Sequence, residues 1–137
     1  MYSVQTKFIV RYAETDQMQI VHHSNYPIWY EVGRTDFIKS LGIPYSEMEK
    51  NGIMIPLIDL KSTYKGAARY EDDITVKTSI KTFTATRITF YYEVINTEQK
   101  IINFGETTHA FTNSELKPVN LKKYAHNIYS LMEKACD

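Results

Sequence analysis

From Ser3 to Tyr12 the chain alternates, with Val4, Phe8, Val10 and Tyr12 on one face and Gln5, Lys7 and Arg11 largely on the other. A period of two predicts a half-buried strand. After a polar loop the pattern changes. Tyr26, Ile28, Trp29, Tyr30, Val32, Phe37, Ile38 and Leu41 point in nearly every direction of a helix, so that helix is expected to be wrapped by other elements. Ser24 or Asn25 can cap its start. Pro27 is tolerated in the first turn because an N–H there has no intrahelical partner. Gly42 and then Pro44 stop the helix near Leu41. A short helical turn is expected around Ser46 to Lys50.

The rest reads mainly as strands over Ile53 to Tyr64, Ile74 to Phe83, Thr86 to Asn96 and Ile101 to Asn113. Ile74, Val76, Thr78 and Ile80 share one face of the third strand of the chain, and Ile88, Phe90, Tyr92 and Val94 share one face of the fourth. Short polar links predict antiparallel neighbours. Pro56 points to an edge or an irregular start for the second strand, and Gly105 to a bulge in the fifth. Past a turn at Ser114 to Pro118, Leu121, Tyr124, Ile128, Leu131 and Ala135 recur at helical spacing and predict one amphipathic C-terminal helix. The expected architecture is α+β, in one domain over residues 1–137.

Charge narrows the function. Sixteen basic residues balance sixteen acidic ones, so the chain lacks the broad positive field that unspecific nucleic-acid or anionic-membrane binding needs. No apolar run approaches the roughly 20 residues of a spanning helix. The lone cysteine, Cys136, cannot close an intrachain disulfide, and the first residues lack the apolar segment of a secretory signal; a cytoplasmic setting is the expectation. The four histidines show no i, i+4 ligand spacing and one cysteine cannot complete a thiolate set, so neither a metal nor a redox cofactor is expected.

The candidate chemistry lies between the first strand and the long helix. Asp16 precedes the expected helix start at His23 and Ser24 by seven residues. Unpaired N–H groups and the positive dipole end at a helix start stabilise an oxygen that gains charge, and a carboxylate nearby supplies a base or a nucleophile. Taken locally, an aspartate in such a loop is more often a turn former. Glu31, farther along the helix, is the second carboxylate considered, read as a structural acid.

The run Arg11-Tyr12-Ala13-Glu14-Thr15-Asp16, continuing to His23-Ser24-Asn25-Tyr26, Tyr30-Glu31 and Arg34-Thr35, resembles the hotdog-fold acyl-CoA thioesterases of the 4-hydroxybenzoyl-CoA thioesterase and YbgC-like branch. Tyr64-Lys65-Gly66-Ala67-Ala68-Arg69-Tyr70-Glu71-Asp72 is similar to the family's link between the second and third strands. Two positions depart from the pattern: Gln19 stands where the family often has glycine, and Ala67 where it often has proline.

The resemblance implies a long central helix wrapped by a five-stranded antiparallel sheet, with the C-terminal amphipathic helix added. It implies an acyl-CoA substrate hydrolysed to a carboxylic acid and free coenzyme A, with Asp16 as nucleophile or general base. The backbone N–H near His23 would polarise the carbonyl, and the His23 side chain would orient substrate or water. Ser24 and Tyr26 become substrate-binding candidates, as do Lys65, Arg69, Arg87 and Lys117 for the coenzyme A phosphates. Tyr26 also belongs to an aromatic set, with Trp29, Tyr30 and Phe37, that could line an acyl or aryl pocket but is more often simply core. A homodimer or homotetramer is implied, with Asp16 facing the partner's helix start. Acyl carrier protein is an alternative thioester donor, and a non-catalytic acyl-CoA-binding module an alternative function.

Overall fold

The computed structural model describes residues 1–43 and 45–136, without the side chains of Tyr45 and Glu47. Its elements are β1 (Ser3–Ile9), α1 (Asn25–Ser40), α2 (Tyr45–Lys50), β2 (Leu57–Tyr64), β3 (Asp73–Phe83), β4 (Arg87–Ile95), β5 (Ile101–Ala110), α3 (Leu121–Tyr124) and α4 (His126–Lys134). The strands form one antiparallel sheet in the order β1-β3-β4-β5-β2. α1 lies between β1 and β2 in sequence, and these are the two edges. The helix therefore crosses the face of the sheet, and the sheet curls around it.

The alternation read in β4 is the inner wall of the core, for Ile88, Phe90, Tyr92 and Val94 are all buried. α1 answers with Tyr26, Trp29, Tyr30, Phe37 and Ile38. Each such side chain contributes about 1.5–3 kcal/mol when fully buried. The Tyr30 and Tyr92 rings stack with centroids 4.4 Å apart, and Phe37 meets Phe90 edge-on at 5.7 Å. Close approach depends on two glycines. A Cβ on Gly33 would sit 2.9 Å from Val76 Cγ1 and collide with the Thr78 hydroxyl, while one on Gly105 would overlap the Lys61 carbonyl and the Tyr30 ring.

Two hydrogen-bonded circuits satisfy most of the polar atoms that this packing buries, while the Thr78 hydroxyl beneath Gly33 has no hydrogen-bond partner among the described residues. In the first, the Tyr30 hydroxyl donates to Asn103 Oδ1, Asn103 Nδ2 donates to Ser62 Oγ at 2.9 Å, and the Ser62 hydroxyl returns to Tyr30 at 2.9 Å. The second runs through the core with a fixed direction, because Arg34 can only donate and the Ile55 carbonyl can only accept. Arg34 Nη1 donates to Tyr92 at 3.0 Å, Tyr92 to Thr107 at 2.5 Å, Thr107 to His109 Nε2 at 2.9 Å, and His109 Nδ1 to Ile55 at 3.0 Å. His109 is thereby held as the neutral Nδ1–H tautomer.

Several boundaries differ from the pattern. β1 ends at Ile9, because Val10 turns to bond Asp72 at 3.0 Å and Tyr12 enters a short 3-10 turn; Tyr12 is 74% exposed, not on the buried face. Around α1 the sheet is not complete, since Ile28 and Val32 remain 50% and 42% exposed. β2 is an edge strand with an irregular start, as Pro56 implied: Met54 makes only an isolated bridge to Thr112, and the register slips between Leu57 and Asp59. β5 ends at Ala110. Gly105 makes no bulge, for it pairs in register with both Tyr92 and Ser62; it is glycine because the Tyr30 ring occupies the space above it. The irregularity of β5 lies at Ile102, the extra residue between Asn103 and Ile101, which pair with the consecutive Val94 and Ile95. The single C-terminal helix is two, broken at Ala125, whose φ of −148° and ψ of 74° leave the helical region. The expected stop after Leu41 occurs at Gly42, with φ +87°, and Pro44 lies outside the described residues.

Two outcomes are expected. Gly105→Ala should lose about 1–3 kcal/mol in urea unfolding, as overpacking against a carbonyl and a buried ring does. His109, 1% exposed, has its pKa pushed down to about 4, first by burial and then by the Arg34 charge. The unfolded chain binds this proton below about 6.5 and the native chain only below about 4, so stability falls as pH drops through that window. The loss is about 3 kcal/mol. Denaturant midpoints measured from pH 7 to 4 should show it, and His109→Gln should flatten it.

Candidate active site

Thr15 and Val21 bridge as the stem of a small hairpin, closed by Asp16 N–H to Ile20 at 2.9 Å and Gln19 N–H to Asp16 at 2.9 Å. Asp16 is half-buried at its tip. One carboxylate oxygen, Oδ1, accepts the Met18 N–H at 2.8 Å, so the turn-forming role is real. The second oxygen has no hydrogen-bond partner among the described residues. Gln19, at the family's glycine position, has φ +64°, the left-handed region that glycine enters most readily.

The stem is tied to the helix. Glu14 accepts the His22 N–H at 2.8 Å and the Asn25 side-chain amide at 2.9 Å on its backbone carbonyl, and Val21 N–H bonds Ala68 at 2.8 Å. Asp16 and the start of α1 thus share one framework inside a single chain. Ser24 occupies the N-cap position but with helical backbone angles, and its hydroxyl meets His22 Nδ1 at 2.7 Å rather than a helix N–H. Asn25 N–H turns back to His22 and Tyr26 N–H to His23. The His23 N–H donates to no protein group among the described residues. Its ring is exposed beside His22 at 4.1 Å and Tyr64 at 6.5 Å.

The other expected residues separate. Tyr26 is in the core; burial pushes its phenol up to about 12 in spite of a backbone hydrogen bond at Ala68. Arg69 is exposed and follows Ala68 on the segment that holds the hairpin, so it is near this end of the sheet. The Lys65 ammonium lies 5.6 Å from the Phe104 ring centroid. Arg87, beside Ala110, and Lys117, paired with Glu115 at 3.6 Å, are at the opposite end. Glu31 lines a separate 470 Å³ hollow with Arg34, Glu49 and Ile53 to Pro56. A 340 Å³ cleft runs between β1 and α1 past Phe8, Glu14 and Trp29. Asp16 lines neither.

Sequence reasoning missed Tyr64 and Glu14. The Tyr64 hydroxyl donates to the His23 carbonyl at 3.0 Å, so the end of edge strand β2 holds the helix start; nothing local in its sequence marks this. Glu14 is 4% exposed, and an acid inside an otherwise polar loop was the available sign. Among the described residues no three His, Cys, Asp or Glu converge to hold a metal ion, and no helix is long and apolar enough to cross a membrane.

A five-stranded antiparallel sheet curled on one long helix is the architecture of the hotdog fold. Residues 10–126 match the thioesterase-like superfamily. YneP of Bacillus subtilis, assigned to the acyl-CoA thioesterases, is 36% identical over 98% of this chain and 99% of its own. The acyl-CoA thioester hydrolase YbgC of Escherichia coli is 24% identical over 71% of this chain and 72% of its own. The crystal structure of a DHNA-CoA thioesterase from Staphylococcus aureus superposes with a TM-score of 0.94 at 34% identity, covering 98% of this chain and 91% of that one. The chain belongs to the thioesterase-like superfamily, and it is a thioesterase of the hotdog fold.

Proposed function

We propose that the chain, acting as one domain over residues 1–137, hydrolyses acyl-CoA thioesters in a cytoplasmic setting, with Asp16 as the reacting carboxylate and the His23 N–H as oxyanion donor. The observation that carries this is the pair of open groups, the second Asp16 oxygen and the His23 N–H, on one hydrogen-bonded frame. As general base, Asp16 takes a proton from water as its oxygen bonds to the thioester carbon; the C–S bond then breaks and the thiolate receives that proton. As nucleophile, Asp16 forms a mixed anhydride with loss of thiolate, and water then cleaves the anhydride. Either route raises negative charge on the carbonyl oxygen, where an N–H at a helix start is most effective. Neither needs a metal or redox group.

A homodimer suits the geometry. Edge strand β2 leaves Leu57, Ile58 and Leu60 exposed, along with a row of unpaired backbone groups. Antiparallel pairing of two β2 strands would set the end of one sheet that bears Arg87 and Lys117 beside the Asp16 end of the other. The scattered cations would then converge with Arg69 on the phosphates of coenzyme A. The close likeness to a DHNA-CoA thioesterase makes aryl acyl groups the first class to try.

Thiol release from aryl, short-chain and long-chain acyl-CoAs should be followed in the parent and in Asp16→Asn, which keeps size and removes charge. The expected loss in kcat is at least about 100-fold. Equal turnover in both would defeat the assignment, and no turnover in either would favour a binding module. Sedimentation should show a dimer that Ile58→Asp shifts toward monomer, with activity falling alongside; a parent that sediments as a monomer and remains fully active would remove the dimer from the mechanism.

A further inference from the structure

Glu14 is a carboxylate that the hydrolytic scheme does not use, yet it is almost wholly buried and accepts five hydrogen bonds. Its side chain accepts the Arg11 N–H at 2.8 Å, the Trp29 indole N–H at 2.7 Å and the Arg11 guanidinium at 3.3 Å. Burial raises the cost of its charge, but these three donors outweigh that and hold the carboxyl below the ordinary range. The Arg11 side chain is 77% exposed, so that ion pair adds little; the Arg11 N–H and the indole are the firm contacts. The backbone carbonyl of the same residue takes the His22 N–H and the Asn25 amide. Trp29 follows Asn25 by four residues and lies on the same side of α1. Glu14 thus grips the first turns of α1 with both its side chain and its main chain, two residues before Asp16.

We propose that Glu14 is a positioning residue of the hydrolytic site, locking the Asp16 hairpin to the start of α1 and so fixing Asp16 against the His23 N–H. The proposal rests on the assignment of Asp16 above. Catalysis by a poised carboxylate and an oriented N–H is sensitive to their separation, and a displacement of about 1 Å can cost about 100-fold in rate. A glutamine at position 14 keeps one acceptor oxygen. Its NH2 would face either the indole N–H or the Arg11 N–H, donor against donor, and one arm of the brace would open. Trp29 is the only tryptophan of the chain, so its emission reports the indole–carboxylate contact directly.

The test compares Glu14→Gln, Asn25→Ala and Asp16→Asn with the parent on whichever acyl-CoA the parent turns over. Glu14→Gln is expected to lower kcat by about 10–100-fold with KM within about 3-fold, to shift Trp29 emission and to keep a cooperative thermal transition. A folded Glu14→Gln protein with kcat within about 3-fold of the parent, beside an inactive Asp16→Asn, would overturn the proposal and leave the Asp16 assignment standing. Raised KM with unchanged kcat would overturn it as well. Should Glu14→Gln not fold, Asn25→Ala reads the same joint from the helix side; a fall in kcat of about 5-fold or more supports the brace, and unchanged kcat refutes it. Full activity in Asp16→Asn would remove both readings together.

Discussion

The seating of α1 on the sheet is the constraint from which the rest follows. Tyr30 reaches the sheet only because Gly105 leaves room for its ring, and Gly33 brings the helix backbone down onto Val76 and Thr78. Packing this close buries hydroxyls, an amide and an imidazole, each of which costs free energy unless it is hydrogen-bonded. The closed circuit of Tyr30, Asn103 and Ser62, and the directed path from Arg34 to Ile55, meet that demand for all of these groups but the Thr78 hydroxyl. They also fix the rotation of α1 about its axis. With the rotation fixed, the first turn presents His23 outward and Trp29 toward Glu14.

At that first turn, charge replaces apolar packing as the organising force. A buried carboxylate needs several donors, and Glu14 finds them in two places, at Arg11 in the segment that follows β1 and on the helix. Asp16 is treated in the opposite way. One of its oxygens shapes the turn and the other has no hydrogen-bond partner among the described residues. The contrast separates the two acids of one short loop by environment: the inner is committed to structure, the outer remains available.

β2 connects the site to the molecular edge. Tyr64 at its end holds the His23 carbonyl, Ser62 belongs to the core circuit, and the strand itself offers exposed aliphatic side chains and unpaired backbone. Whatever covers this edge therefore bears on the helix start. Arg87 and Lys117 at the far end of the sheet gain a role only if a second copy brings that end near Asp16.

Local pattern determined a good deal by itself: the alternation in β3 and β4, the helix that was apolar all round, the edge character signalled by Pro56, and the motif that placed Asp16 before a helix start. These are legible because side-chain period and turn chemistry depend on near neighbours in sequence. Gly105 shows where that ends, since its reason is a tyrosine ring from residue 30 and the bulge of its strand lies at Ile102 instead. Tyr26 in the core, Tyr64 on the His23 carbonyl and Glu14 beneath Trp29 were likewise decided only by tertiary structure. Each depends on contacts between segments distant in the chain, and a residue's own surroundings in sequence carry no record of what folds against it.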